Sequence, residues 1–368
     1  MPERPILIGS EIYRSSSYGR RHPLAIPRVS AVLDLIRAMG WLDEGCYVDS
    51  PQATPDELAR FHDRDYIAAV MQAEADQHVP AERRQRYNIG CNGNPVFPEI
   101  FSRPATACGG SLKAAALLAG GGIVYSPAGG THHGRRDQAS GFCYFNDPAL
   151  GILALLEQGL RRIYYVDVDA HHGDGVEAAF AADDRVFTLS IHEAGRWPHS
   201  GRLEERGGGA ARNLPVPAGL NDSEMAWLMD HAVLPLAERL QPEAIVLQCG
   251  ADALADDPMS GLALSNRALW RVAERLLGQA PRLLVLGGGG YNPWAVARCW
   301  AGVWATLNGL DPDRAPTEAA EGVLRGLAWQ HRQGRNPPEH WFTTIADAPR
   351  DGAVRDEIKR IAAATVAP

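Results

Sequence analysis

An α/β fold with a central, mostly parallel sheet covered by helices on both faces is predicted by three features of the 368-residue sequence. Short apolar runs rich in β-branched residues recur along the chain. Each is followed within a few residues by Gly, His or Asp, and amphipathic stretches long enough for a crossover helix separate them. With 45% hydrophobic and 22% charged residues the chain has ample core material and is not disordered.

In chain order, residues 28–39 show helical periodicity, with Val29, Val32, Leu33 and Ile36 on one stripe, and residues 105–118 repeat it. The first strand run is 123–126. A helix over 147–157, a strand over 163–168 and a strand over 186–191 follow. A helix over 222–239, a strand over 244–249, a helix over 266–277 and a strand over 283–286 complete the alternation. Asn292 and Pro293 then start another helix. Pro312, Pro316, Pro337, Pro338 and Pro349 break the pattern, leaving a loop-rich extension from about 315 to 368 with a last helix over 354–363. No repeat, low-complexity tract or linker divides the chain, so residues 1–368 are expected to form a single domain with the extension packed on it.

The charge balance narrows the function classes. Thirty-six basic against 44 acidic residues give a net charge of −8, which argues against a surface built to track phosphates, so nucleic acid is not an expected partner. No stretch approaches the roughly 18 apolar residues of a membrane span, and the first residues lack the apolar segment of a secretory signal. Six cysteines without a CxxC pair fit reduced thiols, so a cytoplasmic protein without membrane contact is expected.

In open α/β sheets ligands bind at the carboxyl ends of strands, and four segments there carry chemistry. In Asp167-Val168-Asp169-Ala170-His171, strand alternation places both carboxylates and the imidazole on one face. Buried carboxylates need a cation or several hydrogen bonds; capping of backbone amides is the competing reading. Asp252 follows the 244–249 strand. With Asp169 and His171 it would supply two oxygens and one nitrogen and leave a position for water, the layout of a catalytic zinc site. His132 and His133, in a glycine-rich turn after the 123–126 strand, suggest proton transfer. In Gly287-Gly288-Gly289-Gly290-Tyr291 the spacing is neither that of a dinucleotide fingerprint nor of a P-loop. A Tyr291 hydroxyl aimed into the site competes with a core tyrosine at a tight turn.

Together these segments resemble the zinc-dependent histone deacetylase family, in the branch shared by class I enzymes and bacterial acetoin-utilisation-type deacetylases. The likeness extends from His22-Pro23-Leu24 through Phe61-His62-Asp63 to Arg298-Cys299-Trp300 and fades after about Arg314. The resemblance implies an arginase/deacetylase fold with about eight strands and a hydrolase that deacylates N-ε-acyl-lysine in a protein, peptide or small conjugate. It implies that Asp169, His171 and Asp252 hold Zn²⁺, or Fe²⁺ in vivo, and that the metal polarises the acyl carbonyl and activates water. His133 would be the general base and then acid, and His132 would orient water. Asp167 and Asp174 would support His132 and His133, and Tyr291 would donate to the oxyanion. Gly141, Phe142, Trp197, Met259 and Gly289 would contact substrate, the Gly141 carbonyl accepting its amide N–H. A structural K⁺ would sit at Asp167, Asp169, His171, Ser190 and Ile191.

Two departures bear on substrate. Cys91-Asn92-Gly93-Asn94-Pro95 stands where the family has an aspartate that grips a peptide backbone, and Met259 follows Asp257-Pro258 where polyamine-selective relatives have a glutamate. Acetylpolyamine hydrolysis is therefore the alternative substrate reading, and an acyl-ligand binding module without turnover is the non-enzymatic one. A two-manganese ureohydrolase of the arginase type is disfavoured because Gly173 occupies the position of its last strand-motif aspartate. A Cys143 nucleophile is separable by metal removal.

Overall fold

The sheet is built from strands that are short, apolar and, apart from those at its edges, buried. The computed structural model describes residues 4–367. Its strands are β1 (Ile6–Gly9), β2 (Tyr47–Asp49), β3 (Gly122–Ser126), β4 (Ile163–Asp167), β5 (Val186–Glu193), β6 (Ala211–Val216), β7 (Ala244–Gln248) and β8 (Arg282–Leu286). They form one sheet in the order β2-β1-β3-β8-β7-β4-β5-β6. Every adjacent pair is parallel, which requires the crossovers that the sequence spacing predicts. The five strands expected from sequence are β3, β4, β5, β7 and β8, in the middle of the sheet.

The remaining three carry weak signals for physical reasons. β2 has three residues at one edge. β6, at the other edge, reads Ala-Arg-Asn-Leu-Pro-Val; Pro215 fits only because an edge strand has amides that need no partner. β1 is four residues between Pro5 and Ser10.

Alternate residues of one strand enter two different cores. Tyr164 and Val166 join Leu189, Ile191, Ile245 and Leu247 on one face. Ile163 and Tyr165 join Val246, Leu284 and Leu286 on the other. Both faces are apolar because helices cover both, among them Val29–Ala38 and Pro293–Leu307 on the first and Ser102–Leu117 and Asp147–Glu157 on the second. The predicted helix at 222–239 runs as Asp222–Leu228, a π-helical turn at Met229–Val233 and Leu234–Leu240. Pro235 has no N–H for the His231 carbonyl four residues earlier and its ring crowds that oxygen, which accounts for the widened turn.

The C-terminal extension is anchored by specific contacts. The Trp341 indole N–H donates to Asp256 at 3.0 Å, Trp341 stacks on Trp294, Arg298 pairs with Asp347 and Arg355 pairs with Glu224 at 2.6 Å. Its last helix is Asp356–Val366, two to three residues later than predicted. None of the described helices is long and apolar enough to cross a membrane.

Candidate active site

The turn after β3 presents the two histidines, and a buried carboxylate shapes it. Asp147 accepts the backbone N–H groups of Gly130 and Thr131 at 2.9 and 2.8 Å and the hydroxyls of Thr131 and Ser111 at 2.6 Å each. Asn146 caps the following helix through Ala149 N–H and donates its amide to the carbonyl of Gly134 at 2.9 Å. His132 and His133 are thereby held side by side, ring centroids 4.0 Å apart. His132 Nδ1 lies 2.8 Å from Asp167, which also accepts the Tyr165 hydroxyl; His133 Nδ1 lies 2.7 Å from Asp174, which also accepts Arg135.

The acidic segment converges by a different route from the one the alternation predicts. β4 ends at Asp167, so the pleat does not orient Asp169 and His171. Instead Asp167 accepts the N–H of Asp169, and Asp169 accepts the N–H of His171, each at 3.0 Å, so that successive aspartate turns curl the chain back on itself. Asp252 approaches from the short helix after β7 and accepts the N–H of Ala170 at 3.0 Å. Donor atoms of Asp169, His171 and Asp252 lie within 4.8 Å of one another, and all three residues are buried.

These residues fit a metal cation. Two carboxylates packed this closely need a positive charge between them: burial opposes a charge on the His171 imidazole, yet Asp169 and Asp252 together raise it to about 10. The backbone leaves space for the carboxylates alone. A Cβ on Gly250 would collide with Asp169, and one on Gly289 with Asp252. Ser190 pairs with Asp167 in the β4–β5 register, so the five residues expected at a K⁺ site share one end of adjacent strands; the Ser190 hydroxyl meets His192 Nδ1 at 2.9 Å.

The glycine loop after β8 is fastened to this cluster. Gly289 N–H donates to Asp169 at 2.7 Å, Tyr291 N–H donates to Asp257 at 2.6 Å, and Arg28 donates to the Gly288 carbonyl at 2.7 Å. Gly288 and Gly290 have φ of +127° and +141°, conformations that side chains rarely adopt. Tyr291 is 8% exposed, and burial, with Asp252 and Asp169 nearby, holds its hydroxyl protonated well above the usual tyrosine range.

A cavity of about 500 Å³ leads from the surface to His133, His171 and Tyr291, walled by Gly141, Phe142, Trp197 and Met259. Gly141 and Phe142 are the central residues of a tight turn closed by Ser140 and Cys143, with φ of +53° and +68°. A left-handed phenylalanine costs roughly 1–2 kcal/mol. Asn94, accepting Phe142 N–H at 2.9 Å, and Tyr18, donating to its carbonyl at 3.2 Å, hold it there. Trp197 is 41% exposed and stands edge-on to His133 at 4.6 Å. Arg196 links this wall to the next by donating to the Met259 carbonyl at 2.8 Å while paired with Glu193. Gly289 borders a smaller, inner cavity of about 60 Å³ that also reaches His132, Asp169, Arg28 and Arg103.

The histidines are shifted in opposite directions although each faces an aspartate. Burial opposes the charged form of both, but Asp167, with Asp169 behind it, raises His132 to about 9. Burial and the neighbouring His132 charge push His133 down to about 3, and Asp174 does not compensate. Asp174 is shared with the Arg135 guanidinium, which weakens its hold on the His133 proton. A neutral His133, donating Nδ1–H to Asp174, leaves Nε2 free toward the tunnel to accept a proton.

The structure brings together Asp169, His171 and Asp252, expected as metal ligands, with His132, His133, Asp167 and Asp174. Sequence reasoning does not find Asp147, Asn94, Arg28, Arg103 or Asp257. Asp257 was legible only as the residue before Pro258, yet its two oxygens accept Met259 N–H at 2.9 Å and Tyr291 N–H at 2.6 Å, joining a tunnel wall to the site tyrosine.

Comparison with known proteins shows the family. The histone deacetylase domain model matches residues 22–307. The chain is 35% identical to the acetoin utilization protein AcuC of Bacillus subtilis over 321 residues, covering 83% of each, and 35% identical to human histone deacetylase 1 over 304 residues, 80% of this chain and 62% of that one. It spans 60% of a putative histone deacetylase 2 of Caenorhabditis elegans, at 36% identity. Among solved structures, an HDAC homolog complexed with SAHA superposes with a TM-score of 0.93 at 37% identity, covering 99% of this chain and 100% of that one. An HDAC homolog from Aquifex aeolicus gives 0.91 at 36%, with the same coverage.

Proposed function

This chain belongs to the histone deacetylase family, whose members are amide hydrolases, and on that premise we propose that it removes the acyl group from the ε-nitrogen of acyl-lysine in a protein, peptide or small conjugate. The observation that carries the reading is the convergence of a neutral His133, the Asp169, His171 and Asp252 donors and the Tyr291 hydroxyl at the inner end of a tunnel between Phe142 and Trp197. The tunnel suits a narrow aliphatic stem ending in an amide.

Asp169, His171 and Asp252 would hold Zn²⁺, with Fe²⁺ compatible with the same donors, and the cation would supply Lewis acidity toward the acyl carbonyl and water. His133 Nε2 takes one water proton as the oxygen adds to the acyl carbon, then returns it to the departing amine nitrogen as the C–N bond breaks; the second water proton leaves the new carboxylic acid for the released amine, so the products are a carboxylate and an ammonium. Tyr291 donates to the charge developing on the acyl oxygen. His132, held by Asp167 at 2.8 Å, orients the water. The Gly141 carbonyl accepts the substrate amide N–H. The inner cavity has room for a few waters or a small carboxylate, and the Arg28 guanidinium on its wall matches the product's charge. A K⁺ at the Asp167, Asp169, His171, Ser190 and Ile191 strand ends would offset the remaining acid.

Met259 supports acyl-lysine over acetylpolyamine because an apolar wall gives no partner to a second ammonium. The six cysteines are all free, five of them buried, which supports a reducing, cytoplasmic setting. The test is release of acetate from an acetyl-lysine peptide by the metal-loaded protein. Turnover that Tyr291→Phe severely reduces is expected, and no turnover with full metal content would overturn the reading.

A further inference from the structure

A second cavity, of about 600 Å³, adjoins the tunnel mouth, sharing Met259 and Tyr291 with it. Its outer walls are Arg20, Arg21 and His22 on one side and Trp329 and His331 from the C-terminal extension on the other. Arg20, Arg21 and the 328–331 wall lie outside residues 22–307, which the family model matches. The lining holds two arginines and no carboxylate, although the chain as a whole is acidic at −8. Both guanidinium groups are exposed and have no ion-pair partner among the described residues, whereas Arg14, nearby in sequence, engages Glu11 and Asp34. The tunnel mouth also carries Asn88 and Asn92, and its lining holds no carboxylate to attract a basic substrate.

We propose that this cleft is an acidic-residue subsite: Arg20 and Arg21 bind the carboxylates of Asp or Glu side chains flanking the acyl-lysine of a peptide substrate, while Pro258, Met259 and Trp329 pack against the aliphatic part. The inference rests on the deacylase reading above and names its substrate class. A peptide whose lysine fills the tunnel must pass Met259 or Tyr291 as it leaves, which brings its neighbours over the cleft. Arginine suits the role because its charge is permanent and its planar fork meets a carboxylate with two parallel hydrogen bonds. The same two charges repel a polyamine, in agreement with Met259. A pocket of this size between two loops admits side chains and is far smaller than a nucleic-acid duplex.

The experiment compares kcat/KM for three short acetyl-lysine peptides flanked on both sides by Glu, Gln or Lys. At low ionic strength the Glu peptide should exceed the Lys peptide by about tenfold, as two partly exposed ion pairs allow. The ratio should fall toward one as salt is raised. In the double variant R20E/R21E the order should reverse. Equal kcat/KM for the three peptides, or a preference for Lys in the unaltered protein, overturns the subsite. The salt series needs no variant, so a misfolded double variant does not spare the proposal. Failure to hydrolyse any of the three peptides at full metal content overturns the deacylase reading itself, whereas turnover without charge preference overturns the subsite alone.

Discussion

Asp257 holds Tyr291 by its backbone: one carboxylate oxygen accepts the Tyr291 N–H at 2.6 Å, and the other accepts that of Met259 at 2.9 Å. The hydroxyl that would stabilise charge and the side chain that narrows the tunnel are therefore set by one buried group. Burial, reinforced by Asp252, pushes Asp257 above the usual carboxylate range, an electrostatic cost that the fold retains at this position.

Asp257→Ala should therefore lower kcat by about 10- to 100-fold with a much smaller change in KM, because a misplacement of order 1 Å is felt in the transition state rather than in stem binding. Steady-state kinetics on an acetyl-lysine peptide check this. Equal effects on kcat and KM would instead point to loss of the wall alone.

Arg135 competes with His133 for Asp174. Removing the guanidinium in Arg135→Ala leaves Asp174 to act on His133 alone, and His133 becomes more basic. The acid limb of the pH–rate profile should move to higher pH, since more of the base is protonated and inactive at a given low pH. A profile that does not move would separate His133 from the role of base.

Trp197 covers His133 from the solvent side and is partly exposed. Trp197→Ala should raise KM for acetyl-lysine roughly threefold to tenfold by loss of aromatic contact area along the stem, and by the same factor for longer acyl chains, whose extra carbons lie beyond this wall toward the inner cavity. A kcat/KM series of increasing acyl length checks that the factor is constant.

Stability should carry a histidine signature. His62 is 1% exposed; its Nε2 accepts the Asn146 N–H at 2.9 Å and its Nδ1 faces the Arg136 carbonyl at 3.3 Å, so the neutral ring is the form that fits. Burial lowers its pKa from 6.5 to about 4. The contribution is complete above pH 6.5. It declines as pH falls toward 4, because the unfolded chain binds a proton that the folded one refuses; the full loss is about 3 kcal/mol. Urea unfolding between pH 7 and 5 should show this slope, and His62→Gln should lessen it by the His62 share, because His133 and His192, also lowered by burial, act in the same window.

Much of the sheet and nearly all of the groups that the proposed chemistry uses are legible in the sequence, and the reason is burial. Central strands with two covered faces are uninterrupted apolar runs, so an Asp or His at their ends stands out, as Asp167, His171 and Asp252 do. Edge strands announce themselves less, and Pro215 actively argues against β6. The positioning groups are silent for another reason. Asp147, Asn94 and Asp257 act by accepting backbone N–H groups brought close only by the fold, and an isolated acid or amide in a sequence carries no mark of that. The convergence of Asp169 and His171 illustrates both points. The residues were readable, but the aspartate turns that aim them were not, because β4 ends two residues too early for the pleat to act.

Metal dependence tests the proposed chemistry most directly. Protein stripped of metal should lose acetyl-lysine hydrolysis and regain it on addition of one equivalent of Zn²⁺, with Asp169→Asn and Asp252→Asn failing both to bind the ion and to recover. Undiminished hydrolysis by protein shown to contain no metal would contradict the assignment of Asp169, His171 and Asp252 and direct attention to Cys143.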